Sequence, residues 1–237
     1  MKHIAIVVAG GKGTRMGGDL PKQFIPLAGK PVLMHTLEAF QRWDAKTRLY
    51  VILPETHQSY WQMLREEIPC PAHTVVNGGE SRFHSVRNGL ERALDDLAGE
   101  PALIAVHDGV RPFITPDLIE RCFRMAAREK AVIPVIPMVD SLRELEADGS
   151  GSHPVDRSRY VAVQTPQVFD SALLASAYQQ DFSPLFTDDA SVVEAIGKPI
   201  STVAGERENI KLTTPFDLLI AESLLRQAGP FGGLSIL

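Results

Sequence analysis

Cysteine is scarce. The 237-residue chain holds two, Cys70 and Cys122, and they form no CxxC pair. That argues against a secreted disulfide framework and for a reducing compartment. An excess of positive charge is missing too: 24 Lys and Arg against 29 Asp and Glu leave a net charge of −5. A general coat for nucleic acid is therefore not expected, and any cations that matter must act locally. No run of 18 apolar residues exists, so no membrane span is expected. The opening MKHIAIVVAGG lacks a long apolar stretch followed by a small-residue cleavage site, and is read as a first strand rather than a signal peptide. Together these absences make the cytoplasm the expected setting. The 7 histidines include no HExxH and no Cys/His cluster at zinc spacing, and no GxSxG elbow supports acyl-hydrolase chemistry.

What is present suits one α/β domain over 1–237, since 44% of residues are hydrophobic and 22% charged. Short apolar runs, IAIVVA (4–9), LYVILP (49–54), LIAVHD (103–108) and AVIPVIP (131–137), have the length and β-branched content of strands buried on both faces. Helical spacing fills the gaps at 31–43, 84–97 and 116–130, and predicts further helices near 187–197 and from Pro215 to about Gln227. This alternation predicts a Rossmann-like, mostly parallel twisted sheet flanked by helices, with right-handed crossovers. Ligands of such sheets sit beyond the carboxyl ends of the strands. Residues 138–166 break the rhythm. Two extended arms around Asp148–Gly151 predict a projecting β-arm inserted in the domain.

The densest feature is AGGKGTRMGGDLPKQF (9–24), which follows the first apolar run directly. It is not a Walker A loop, because no lysine follows Gly17 or Gly18 at the required place. It is not the dinucleotide fingerprint either, because Met16 stands where G-x-G-x-x-G demands glycine. The physics of a phosphate cradle still applies. Gly10, Gly11 and Gly13 let backbone N–H groups approach phosphate oxygens. Arg15 can fork onto those oxygens and Lys22 supplies a point charge. A glycine-rich turn with solvated cations is the plainer alternative.

Four distant segments carry further chemistry. NGGESRFHSV (77–86) offers a Gly–Gly turn whose backbone can meet a base edge, with Ser85 near a helix start, where capping is the plainer role. VHDGVRPF (106–113) ends an apolar strand on Asp108, three residues before Arg111. Such an acid holds a substrate hydroxyl or a metal–phosphate complex, or else pairs with Arg111. VDRSRYVAVQTPQVF (155–169) puts Arg157, Arg159 and Thr165 on the arm or at its end. Thr187 before two aspartates signals a helix N-cap, and Thr214–Pro215 with Asp217 signals another. Lys211 lies in a short apolar stretch that reads as an edge strand.

The glycine stretch, with its PKQ ending, resembles the signature of sugar-phosphate nucleotidyltransferases, and the distant motifs resemble the 2-C-methyl-D-erythritol 4-phosphate cytidylyltransferase family from Ile4 to about Glu222. The resemblance implies joining of CTP to 2-C-methyl-D-erythritol 4-phosphate with release of pyrophosphate, in non-mevalonate isoprenoid precursor synthesis. It implies catalytic roles for Arg15, Lys22, Arg157 and Lys211. It implies nucleotide contacts at Ala9, Gly10, Gly11, Gly13, Thr14, Gly79, Arg82, Ser85 and Gly109, and substrate contacts at Asp108, Arg111, Thr165 and Thr187. Mg²⁺ is implied on the CTP phosphates, with Asp108 as a candidate ligand. A homodimer is also implied, in which the arm carries Arg157 and Thr165 into the partner's site. Relatives often carry Asp where this chain has Glu80, and two alanines where it has Gly109–Val110. A ribitol-5-phosphate cytidylyltransferase and a nucleotide sensor without turnover are the alternatives.

Overall fold

A computed structural model describes residues 1–11 and 20–228. In chain order the elements are β1 (Lys2–Val8), β2 (Pro26–Leu27), β3 (Lys30–Pro31), α1 (Val32–Trp43), β4 (Arg48–Leu53), α2 (Glu55–Glu67), β5 (Thr74–Asn77), α3 (Arg82–Leu97), β6 (Ala102–Asp108), α4 (Pro116–Glu129), β7 (Ala131–Pro137), β8 (Leu142–Leu145), β9 (Ser152–Val155), β10 (Val161–Val163), β11 (Gln167–Asp170), α5 (Ser171–Ala177), α6 (Asp189–Glu194), β12 (Ser201–Ala204) and α7 (Pro215–Ala228). Short 3-10 turns cover Lys22–Phe24 and Arg157–Arg159.

The eight-stranded sheet runs β10-β7-β11-β6-β1-β4-β5, with β12 on the far side of β7. The predicted strands form its centre: β1 pairs in parallel with β4 and with β6, and β4 with β5. Their uninterrupted apolar runs serve two layers at once, because successive side chains of a strand leave opposite faces. Ala5 and Val7 of β1, Val51 of β4 and Ala105 of β6 pack beneath α1 and α4 with Leu37, Phe40, Leu118 and Cys122. Ile4, Ile6, Ile52, Ile104 and Val106 face α3, α5 and α6, beside Val86, Leu90, Leu174 and Val193.

The sheet is more mixed than the β–α alternation predicts. β11 lies antiparallel between β6 and β7, and β10 continues antiparallel along β7. A chain leaving β10 therefore returns into the sheet interior, and β10 belongs to the main sheet rather than to the arm predicted over 138–166. The part that stands apart is the β8–β9 hairpin. α2 and α5 were not legible in the pattern. α2 is mostly polar, with Trp61 as its one fully buried side chain and Tyr60 and Leu64 packed against the core edge. α5 is a short helix capped by Asp170, whose carboxylate accepts from the backbone N–H of Ala172 and Leu173.

Two predicted caps shift. Asp188, not Thr187, is the N-cap of α6: its carboxylate accepts from Ser191 N–H while Ser191 Oγ accepts from Asp188 N–H, a reciprocal box. The cap of α3 is Ser81, not Ser85. The α7 start agrees with its sequence signal. Asp217 accepts from the backbone of Thr213 and Thr214, and donates its own N–H to Thr214 Oγ1. Lys211 lies outside any strand: residues 208–213 form an irregular segment, pinned by Leu212 N–H donating to the Val110 carbonyl.

Candidate functional site

The carboxyl ends of β1, β4, β5 and β6 open into one cavity of about 500 Å³. Ala9, Gly10 and Gly11 enter from β1, Gly78 and Gly79 from β5, Asp108 from β6, and Lys211 from the irregular segment. This gathering is the one that a parallel sheet dictates, because each loop leaving a carboxyl end turns over the same edge. Lys22, Arg82 and Ser85 complete the predicted set on the wall. Gly13, Thr14 and Arg15 lie outside the described residues.

Gly11 sits against Lys22: a Cβ there would stand 3.1 Å from Lys22 Cε, so the bare backbone lets the lysine stem lie close over the loop. Gly79 is more constrained. A Cβ would fall 2.5 Å from the His84 Cβ and 2.9 Å from its carbonyl carbon. The turn is closed by Gly79 N–H donating to Ser85 Oγ at 3.0 Å. Ser85 thus shapes the Gly–Gly turn rather than capping α3, and the Gly79 N–H is spent on that turn.

Arg82, at the first position of α3, reaches a fully buried acid. Its guanidinium donates to Asp189 at 2.9 and 2.5 Å, one nitrogen to each carboxylate oxygen. Tyr178 OH donates to the same carboxylate at 2.6 Å. Burial works against the charge on Arg82, but the facing Asp189 overcomes it and raises its pKa. Burial also pushes the Tyr178 phenol well up, with Asp189 acting in the same sense. The fork fixes one face of Arg82, whose side chain is 30% exposed and lines the cavity. Asp189 was read from sequence only as part of a helix cap, because a run of two aspartates carries no sign of a partner 107 residues away.

Asp108 is the second anchor. Lys211 Nζ lies 3.0 Å from Asp108 Oδ2 and Arg111 Nε 3.3 Å from the same oxygen. Burial would raise the Asp108 carboxyl, yet Lys211, Arg82 and Arg111 together hold it well below the usual carboxylate range. The Arg111 pair of the plainer sequence reading therefore forms, and the carboxylate also lines the cavity. Arg111 itself is turned away, donating to the Asn209 carbonyl at 2.6 Å. Gly109 lies behind the wall, its N–H bonded to the Val8 carbonyl and a Cβ there 3.1 Å from both Ala9 Cβ and Leu33 Cδ1.

Thr165 is not on the projecting arm. It is buried at the arm's root, and its Oγ1 accepts from the Asp108 backbone N–H of its own chain at 3.1 Å. Arg157 and Thr187 lie outside the cavity wall of their own chain. Arg157 sits in the exposed 3-10 turn and donates to the Val139 carbonyl. Gln23, fully buried beside the cavity, carries no signal in the sequence: its Nε2 lies 3.3 Å from His57 Nδ1, a partner on α2.

Among the described residues magnesium finds no built cage. Asp108, the one carboxylate proposed for it, is committed to two cations, and among the described residues no group of three His, Cys, Asp or Glu side chains could hold a metal.

A Rossmann-like mixed sheet with a cationic, glycine-walled cavity at its carboxyl edge is the architecture of an α/β nucleotide-binding protein. Residues 3–227 match the family described as IspD: 2-C-methyl-D-erythritol 4-phosphate cytidylyltransferase, and the chain belongs to that family. It is 55% identical over 226 residues to the 2-C-methyl-D-erythritol 4-phosphate cytidylyltransferase of Bacteroides thetaiotaomicron, covering 95% of this chain and all of that protein. Among solved structures it resembles the 2-C-methyl-D-erythritol 4-phosphate cytidylyltransferase of Thermus thermophilus, with TM-score 0.74 and 32% identity over 95% of this chain and 100% of the other. It also resembles the 4-diphosphocytidyl-2C-methyl-D-erythritol synthase of Anaerococcus prevotii, with TM-score 0.78 and 28% identity over 95% of this chain and 96% of the other.

Proposed function

We propose that the chain transfers the cytidylyl group of CTP to 2-C-methyl-D-erythritol 4-phosphate. A phosphate oxygen of the polyol attacks the α-phosphorus. One O–P bond forms, the bond to the β-phosphate oxygen breaks, and pyrophosphate leaves. The nucleophile is anionic near neutral pH, so no general base is required. The barrier is repulsion between two polyanions, and the work of the protein is positioning and charge neutralisation.

The observation that carries this reading is the convergence of Lys22, Arg82 and Lys211 with the bare backbone of Ala9–Gly11 on one cavity. Lys22 and Arg15 are assigned to the triphosphate, and Lys211 to the incoming phosphate. Ala9, Gly10, Gly11, Arg82 and the Gly79–Ser85 turn are assigned to the nucleotide, while Gly109 braces the wall from behind. Asp108, Arg111 and Thr187 are assigned to the polyol. Mg²⁺ enters only as the counter-ion of the triphosphate. The names of the relatives favour methylerythritol phosphate over ribitol phosphate.

A homodimer is part of the proposal, with Arg157 reaching the partner's polyol site. Val139, Leu145, Tyr160, Val161 and Val163, all large and exposed on or beside the hairpin, support an apolar contact there. The cytoplasm is the proposed location. No helix among the described residues is long and apolar enough to cross a membrane.

The test is pyrophosphate release with CTP, ATP, GTP and UTP, each offered with methylerythritol 4-phosphate and with ribitol 5-phosphate. Turnover is expected with CTP and methylerythritol phosphate alone. Preference for ribitol phosphate, or tight CTP binding without release, would replace this reading by one of its alternatives.

A further inference from the structure

Beneath the Asp108 side of the cavity, a ring of hydrogen bonds includes a side chain that does not line that cavity. His107, the penultimate residue of β6, is fully buried. Its ring edge packs against Phe40 of α1, with centroids 5.3 Å apart. Both ring nitrogens are engaged. Nε2 lies 3.2 Å from the Arg111 carbonyl oxygen, and Nδ1 lies 3.0 Å from Thr165 Oγ1. A carbonyl oxygen only accepts, so the proton of the neutral ring must be on Nε2, and Nδ1 must accept. Burial draws the imidazole down to about 4, which keeps it neutral at working pH.

That tautomer decides the rest of the chain of bonds. With Nδ1 accepting, Thr165 must donate its hydroxyl proton to it. The Thr165 oxygen is then turned to accept the Asp108 backbone N–H at 3.1 Å. The other end of the imidazole holds the Arg111 carbonyl. Arg111 in turn sends one nitrogen to Asp108 and another to the Asn209 carbonyl, and Asn209 Nδ2 donates back to the Thr165 carbonyl at 2.9 Å. The end of β6, the root of the arm and the segment that carries Lys211 are thereby tied into one ring of hydrogen bonds with the imidazole at its centre. Asp108 and Arg111, assigned above to the polyol, and Thr165, a substrate contact implied by the family resemblance, are all set by it.

We propose that His107, as its Nε2–H tautomer, is the positioning residue of the polyol-phosphate half of the site, fixing the Thr165 hydroxyl and the Asp108–Arg111 turn that the substrate meets. The proposal rests on the functional reading above and adds a residue outside the cavity to it. It also assigns Thr165 a new part: its hydroxyl proton points to the imidazole and not to a phosphate.

Two substitutions divide the two bonds. His107→Asn places its side-chain carbonyl near the position of Nδ1, and keeps an acceptor for Thr165 while losing the Arg111 contact. His107→Gln reaches the Nε2 position with an N–H, and keeps the Arg111 contact while losing Thr165. Losing one buried hydrogen bond is expected to raise KM for methylerythritol phosphate by about tenfold in each, with KM for CTP changed by less than about twofold. Thr165→Val should reproduce the His107→Gln effect, and Thr165→Ser should restore near-normal KM. The tautomer itself is read in the ligand-free wild-type protein by imidazole nitrogen NMR, with Nε2 protonated as the expected result. A proton on Nδ1, or equal rises in both KM values for folded variants, overturns the inference. Failure of wild-type protein to turn over CTP with methylerythritol phosphate instead sinks the functional reading, while the NMR result still decides the bonding scheme by itself.

Discussion

Asp189→Asn is the sharpest perturbation of the nucleotide wall. The carboxylate is fully buried and accepts three short bonds, two from Arg82 and one from Tyr178. Asparagine is nearly isosteric, so no cavity forms. What changes is that one oxygen becomes an NH₂ that faces the guanidinium in either orientation, and the Tyr178 phenol as well if it replaces Oδ1, and the countercharge disappears. Breaking a buried pair by removing one partner costs about 3–5 kcal/mol, and the lower end applies because Arg82 is partly exposed and can recover water. For a chain of this length about 3 kcal/mol corresponds to a Tm lower by roughly 6–12 °C. Tyr178→Phe removes one hydrogen bond to the same acid, and should cost about 1 kcal/mol or roughly 2–4 °C. Differential scanning calorimetry of both variants measures this. Initial rates should show KM for CTP raised in Asp189→Asn, because Arg82 loses its fixed orientation. A Tm within about 2 °C of wild type, the resolving limit set by a change of roughly 1 kcal/mol, together with unchanged KM for CTP, would refute the claim that Asp189 holds Arg82.

Other outcomes follow from the same geometry. Gly79→Ala should destabilise by about 1–3 kcal/mol and impair CTP binding, because its Cβ would overlap the His84 backbone and side chain; urea titration and equilibrium dialysis measure the two effects, and normal CTP affinity would contradict the tight turn. Lys22→Ala should lower kcat by roughly 10²–10³-fold, as the loss of one preorganised electrostatic contact does, with stability within about 1 kcal/mol of wild type; an unchanged kcat would remove Lys22 from the transition state. Acid should destabilise the fold. The His107 imidazole falls to about 4 when buried, so below its unfolded pKa of 6.5 the unfolded chain binds the proton first, and stability present above pH 6.5 is lost as pH drops toward 4. That shift amounts to about 3 kcal/mol, and lowering of Asp108 by Lys211, Arg82 and Arg111 extends the loss to more acid pH. Chemical denaturation of wild type and His107→Asn at about pH 4–7, the window those two pKa values set, should show a shallower slope in the variant, and parallel curves would exclude the histidine as the source.

The central strands were readable because their cause is local. β1, β4, β6 and β7 are apolar on both faces, and period-2 placement sends Ile4 and Ala5, or Ile104 and Ala105, into opposite layers whatever surrounds them. That a bare, cation-flanked segment follows β1 was likewise legible, since missing side chains and clustered cations are properties of the chain itself. Sheet order and the far half of the site were not. The insertion of β11 between β6 and β7 is an agreement between segments far apart in sequence, and a four-residue strand carries no mark of its neighbours. Asp189 and Arg82, or His107 and Thr165, likewise look like a cap, a wall cation, a strand residue and an arm residue until folding places them within hydrogen-bond reach. Composition and periodicity thus decide what each segment is. Which buried polar groups become partners is decided only when the layers close, because an unpaired polar group is satisfied by water outside the core and by nothing but a partner within it.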